Sequence, residues 1–178
     1  MSQLRVESLN FTFESFVNAD KYDEWQHVNM DWADRADKKK MDIVAVEPIP
    51  SVRTLWMIEV KDFRIVTDPP KPSNLSGLPQ TVAKKAEDTL LGLADASRNT
   101  QVSSERQLSS QSQACGTTRI VLHLEPHPPS GPRSALFPRG FPASVHQQMK
   151  QLVAHIDSNP LVLNCSNTPQ VGVPWTVI

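Results

Sequence analysis

Residues 54–65 read Thr54-Leu-Trp-Met-Ile-Glu-Val-Lys-Asp-Phe-Arg-Ile65, an apolar, strand-like run that holds a glutamate and a lysine two positions apart. Successive side chains of a strand point to opposite faces. Glu59 and Lys61 therefore share a face with Leu55, Met57 and Phe63, while Asp62 and Arg64 point the other way. Placing a charged pair on a mostly buried strand face costs free energy unless something compensates it. A cation with a water and a phosphate would compensate it.

Just upstream, Met41-Asp-Ile-Val-Ala-Val-Glu47 is a second apolar run, with an aspartate near its start and β-branched residues at its centre. Pro48 and Pro50 close it. The short connection to Thr54 predicts two adjacent antiparallel strands. Further out, Leu9, Phe13, Phe16 and Val17 recur at helical spacing with Val6 on the same face, which predicts a first helix. Leu9–Phe13 also alternates, so a short strand is the other reading there. Tyr22, Trp25, Val28 and Trp32 continue a helical spacing through an acidic segment.

After the second strand, 66–79 is a proline-rich loop by composition. Pro79 suits a helix start, and Val82, Ala86, Leu90 and Leu93 form its apolar stripe. Lys84 points away from that stripe and Lys85 lies at its border. The Ser/Gln-rich stretch 99–113 reads as a linker or an exposed helix end. Thr117–Leu124 is a third strand, 125–142 a long loop broken by prolines, and Ser144-Val-His-Gln147 a capping box opening an amphipathic helix. Asn159-Pro160 stops that helix, and Leu161–Cys165 is a last short strand. Strands flanked by helices in this order predict an α/β fold: a three-layer α/β/α sandwich around a mixed sheet of four or five strands.

The chain has 178 residues, which suits a single domain spanning 1–178. Its formal net charge of −1 gives no global field pointing to nucleic acid. Charge is uneven, however. Residues 1–37 carry eight acids against three bases, and 38–71 carry seven bases against five acids. Cys115 and Cys165 are too few for a disulfide framework. No apolar leader and no membrane-length run is present, so a cytoplasmic protein with no membrane partner is expected.

An acid on one strand and E-x-K on the next, within this element order, resembles the PD-(D/E)XK nuclease superfamily, the restriction-endonuclease-like fold. The matching residues are Asp42 and Glu59-Val60-Lys61, and by element order the likeness runs over residues 9–165. It implies a metal-dependent nuclease acting on a nucleic acid, DNA before RNA, with Mg²⁺ or Mn²⁺ as cofactor. Asp42, Glu59 and Lys61 are then the catalytic residues. Asp42, Glu59 and the Val60 backbone carbonyl are the metal ligands, because Mg²⁺ takes oxygen donors. Lys61 positions the attacking water and stabilises developing negative charge. Some members add a glutamate from the first helix, where Glu14 stands, and a supporting polar residue from the later helix, where Lys85 stands. The proline expected before the first acid is replaced by Met41. A non-catalytic member of the same fold, serving as a protein-interaction or nucleic-acid-binding module, is the alternative. A homodimer is compatible with the sequence but not indicated by it.

Three further features are competitors or bystanders. Asp37-Lys38-Lys39 also fits D-x-K, but it lies in a charged, polar stretch. Glu47 is five residues from Asp42 and so points to the opposite face. His123 and His127 are four apart, but Pro126 and Pro128 deny them a helix and the metal pair it would make. His27, His146 and His155 read as polar-face residues, Trp25, Trp32 and Trp56 as core, and Arg133 and Arg139 as loop arginines.

Overall fold

The computed structural model describes residues 1–31, 38–49, 52–64, 75–126 and 140–178. Its central element is the strand Thr54–Asp62 (β5), which pairs antiparallel with Ile43–Glu47 (β4) and parallel with Thr117–Glu125 (β6). The strand Asn18–Lys21 (β3) pairs antiparallel on the far side of β4, and Leu161–Leu163 (β7) pairs parallel on the far side of β6. The five strands thus form one mixed sheet in the order β3-β4-β5-β6-β7.

Three helices cover one face. They are Leu78–Asn99 (α1), Ser103–Gln113 (α2) and Phe141–Leu152 (α3). Val44, Val46, Leu55, Met57, Ile120, Leu122 and Leu124 meet Val82, Ala86, Leu93, Leu108, Val145 and Met149 in a single apolar cluster. The parallel β5-to-β6 crossover needs a long connection, which α1 and α2 supply.

The other face departs from the expected sandwich. It is covered by a small antiparallel sheet, in the order β1-β2-β8, built from Gln3–Val6 (β1), Leu9–Phe13 (β2) and Trp175–Val177 (β8). Phe11, Phe13, Trp175 and Val177 pack there against Ile43, Ala45, Trp56, Ile58, Val60 and Val121. The fold is therefore mixed α/β with a five-stranded mixed sheet, but the described helices that pack on that sheet lie on one side of it.

The expected first helix is the reason for the difference. Alternation wins over helical spacing: Leu9, Phe11 and Phe13 are buried and Asn10 is exposed, while Phe16, which the helix would have buried, is 54% exposed. Val6 pairs directly with Leu9, so Glu7-Ser8 is a two-residue hairpin turn, with Glu7 at φ 52°. The segment after Val17 gives β3 followed by a 3₁₀ turn at Tyr22–Glu24 and a π turn at His27–Asp31.

Two other expectations are corrected. Residues 103–113 form a packed helix, with Glu105, Leu108, Ser109 and Ser112 buried along one face. Its buried polar groups are satisfied: the Ser109 hydroxyl donates to the Glu105 carbonyl and the Ser112 hydroxyl to the Ser109 carbonyl. Ser144 is not a cap. The helix α3 starts at Phe141 with Pro142 in its first turn, where a missing N–H costs nothing, and follows Gly140 at φ 81°. The last helical turn, Thr168–Val171 (α4), leads into β8. Trp32, Asp37, His127, Arg133 and Arg139, and most of the proline-rich loops around 66–79 and 125–142, lie outside the described residues. Among the described residues no helix is long and apolar enough to cross a membrane.

Candidate active site

The antiparallel register sets Ile43 opposite Ile58. One step further along, the Asp42 backbone N–H donates to the Ile58 carbonyl at 3.1 Å, which brings Asp42 beside Glu59. Both side chains point to the helical face, as alternation required, since Val44, Leu55 and Met57 pack there too. One Asp42 carboxylate oxygen accepts the Val60 backbone N–H at 2.7 Å. The other faces the Lys85 amine of α1 at 3.4 Å. The same amine lies 2.6 Å from Glu59. The Glu59 and Asp42 carboxylates therefore converge on one point of positive charge.

Lys61 supplies a second cation. Its amine is 2.8 Å from the other Glu59 oxygen and donates to the Val60 carbonyl at 2.9 Å. Glu59 is fully buried. Burial pushes its carboxyl above the usual carboxylate range, helped by repulsion from Asp42 and opposed by Lys61 and Lys85. Burial pulls the Lys61 amine down, but the Glu59 carboxylate outweighs it and the net shift is upward. The two amines in contact with Glu59 favour its ionised form against that burial.

The structure also brings in a residue that sequence reading did not single out. Glu7, at the β1–β2 turn, accepts the Asp62 backbone N–H at 2.6 Å and stands 3.9 Å from the Lys61 amine. Burial raises its carboxyl as well. The only signal for it was alternation on both sides, Leu4 and Val6 before and Leu9, Phe11 and Phe13 after, with two residues left to turn. Glu14 does not join this group. It follows the other end of β2, where it is exposed and its N–H donates to the Pro174 carbonyl.

The competitors settle elsewhere. Glu47 accepts the Trp56 indole N–H at 2.9 Å on the opposite sheet face. Lys84 and Lys38 pair with the buried Asp88, whose second oxygen accepts the Lys39 N–H, so Lys38 and Lys39 serve to fasten the chain to α1. His27 is buried, contrary to the polar face expected for it, with its Nε2 2.8 Å from Asp95. Trp25 and Trp56 are core residues, as expected.

The donor set suits a hard divalent cation: two carboxylates already sharing one cationic neighbour, and a backbone carbonyl beside them, all oxygen. Asp42, Glu59 and the Val60 carbonyl would hold such an ion. It would supply charge neutralisation at a phosphate and a more acidic bound water.

Comparison with known proteins adds one distant likeness. The chain is 28% identical over 214 aligned residues to cysteine–tRNA ligase of Neisseria meningitidis serogroup A / serotype 4A. That alignment takes in 99% of the chain but 30% of the relative's length. No family model matches, and no solved structure matches.

Proposed function

We propose that this protein is a metal-dependent phosphodiesterase that cuts nucleic acid, in a restriction-endonuclease-like setting. The observation that carries the reading is the convergence of Asp42, Glu59, Lys61 and Lys85 at the ends of two adjacent strands. Asp42 sits at the start of β4, E-x-K lies on β5, and a helix then crosses to a parallel strand, in keeping with the resemblance read from the sequence. Missing from that resemblance is the helix on the second sheet face, which the β1-β2-β8 sheet replaces.

Each side chain has a definite task in this reading. Asp42 and Glu59 hold Mg²⁺ or Mn²⁺. Glu59 needs its neighbouring amines to stay ionised while buried, and Lys61 and Lys85 provide them. Lys61, which is about 30% exposed, faces solvent more than Lys85 and is the one to orient a water and stabilise charge on the scissile phosphate. Lys85 orders the two carboxylates in the absence of the ion. Glu7 holds Lys61 from the hairpin side.

DNA is the first substrate class by resemblance. The relative named cysteine–tRNA ligase makes tRNA a second substrate to include. Its ligase activity is not carried over, because the chain spans under a third of that protein.

The test is a panel of single- and double-stranded DNA, RNA and tRNA, incubated with Mg²⁺, with Mn²⁺ or with EDTA. The expected result is ion-dependent scission by the wild type and none by Asp42→Ala. Scission in EDTA, or scission undiminished in Asp42→Ala, would sink the metal-site reading. A wild type inert on every member of the panel would favour a non-catalytic role.

A further inference from the structure

On the opposite sheet face, the parallel register sets His123 of β6 level with Leu163 of β7. Beyond that pairing, the Cys165 backbone N–H donates to a Glu125 carboxylate oxygen at 2.6 Å. His123 and Glu125 are alternate residues of one strand and so share a face. The His123 Nε2 lies 3.0 Å from that same Glu125 oxygen. One ligating atom from each of His123, Glu125 and Cys165 falls within 4.8 Å of the other two. None of these three residues belongs to the candidate active site, which faces the helices.

We propose that His123, Glu125 and Cys165 form a binding site for a single thiophilic divalent cation, of which Zn²⁺ is the chemical type. Nitrogen, carboxylate and thiolate donors in one place are the donor set of Zn²⁺ and unlike the oxygen set that Mg²⁺ requires. Three protein ligands leave a fourth position open.

An observation besides the clustering points to a cation. His123 is fully buried, its ring edge-on to Phe11 at 5.3 Å, and its Nδ1 finds no hydrogen-bond partner among the described residues. Nε2 donates to the ionised Glu125 carboxylate, so the neutral ring carries its lone pair on Nδ1, a buried ligand atom left without a partner among those residues. Cys165 is only partly buried, which gives an ion a way in. The nearby positive charge is already spent: Arg64 lies 4.0 Å from Glu125 but makes its shorter contacts, 2.8 and 2.9 Å, with Asp62. On binding, the Cys165 thiol gives up its proton to solvent and becomes thiolate.

Co²⁺ serves as the probe, because thiolate ligation gives it a charge-transfer absorption that carboxylates alone do not. The chelator-treated full chain is titrated with Co²⁺ under reducing conditions and the band is followed. The expected result is a thiolate–cobalt band saturating at one equivalent, bleached by added Zn²⁺. It should be retained in Cys115→Ser and Asp42→Asn, lost in Cys165→Ser, and lost or strongly diminished in Glu125→Gln. Cys165 is partly exposed, so its serine variant is expected to fold, which far-ultraviolet circular dichroism checks. Absence of the band in folded wild type overturns the proposal. So does a band that survives Cys165→Ser, or one that depends on Cys115.

Discussion

The Lys85 amine lies 2.6 Å from the Glu59 carboxylate, an ion pair that ties helix α1 to the central strand β5 at a site where Glu59 has no contact with water. Two amines and a second carboxylate surround Glu59, so its charge is held by neighbours and not by solvent. Removing one partner of a buried pair leaves part of that charge uncompensated.

Lys85→Ala is accordingly expected to lower unfolding free energy by about 1–3 kcal/mol, less than the loss of a sole partner because Lys61 still neutralises Glu59. Urea denaturation measures it. Glu59→Gln in the same background should recover part of the loss, since it removes the orphaned charge. A double variant as unstable as the sum of the two single variants would show that the pair is not coupled.

The Asp62–Arg64 pair sets an acid limit. Hydrogen bonds from Arg64 hold the Asp62 carboxyl down at about 2, against an ordinary 3.8. A depressed carboxyl contributes stability that is complete above about pH 4 and is lost as pH falls through about 2. Arg64 is over one-third exposed, so screening trims the contribution to about 1–2 kcal/mol. Asp62→Asn should therefore flatten the stability profile between about pH 4 and pH 2 relative to wild type. Identical slopes for the two proteins in that window would contradict the pairing.

The buried carboxyls act in the opposite sense. Glu59 and Glu7 are raised, by burial first, so the folded state holds their protons more tightly than the unfolded chain does. Their contribution is greatest below the ordinary value of 4.5 and declines as pH rises through the raised range. Glu7→Gln, which keeps the acceptor for the Asp62 N–H, should remove part of that decline. A profile unchanged by the substitution would show that Glu7 titrates as a free carboxylate.

The strands β4, β5 and β6 were legible because their apolar runs are short, β-branched and bounded by charge or proline, whereas the choice of Asp42 over Glu47 beside Glu59 depended on the register that pairs Ile43 with Ile58. Lys85 could be placed only at the border of the stripe on α1, because its contact with Glu59 depends on how α1 packs across β5. The N-terminal hairpin was not legible, because Leu9, Phe13 and Val17 satisfy both periods, and the pairing of β2 with β1 and with β8, far away in sequence, decides between them. Glu7 was hidden for the same reason: its role depends on a turn that exists only if the hairpin does. The buried face of α2 was masked by serines, which donate to carbonyls of their own helix, and by Glu105, whose carboxylate accepts from the Gln26 and His27 N–H groups and the Thr100 hydroxyl, bonds that composition does not reveal.

Glu7 also carries a backbone prediction. A side chain at φ 52° costs roughly 1 kcal/mol relative to glycine. Glu7→Gly and Glu7→Ala both delete the carboxylate, so the glycine variant should be the more stable of the two by about that amount. Equal stabilities in denaturant titration would argue against the left-handed turn.

The most direct test of the central claim is the cleavage rate of a nucleic acid substrate in Mg²⁺ by wild type and by Lys61→Ala, both shown to be folded by circular dichroism. The expected result is Mg²⁺-dependent phosphodiester cleavage by wild type that falls by about 100-fold or more in Lys61→Ala. A rate that Lys61→Ala leaves unchanged would place the chemistry elsewhere and contradict the assignment of this site.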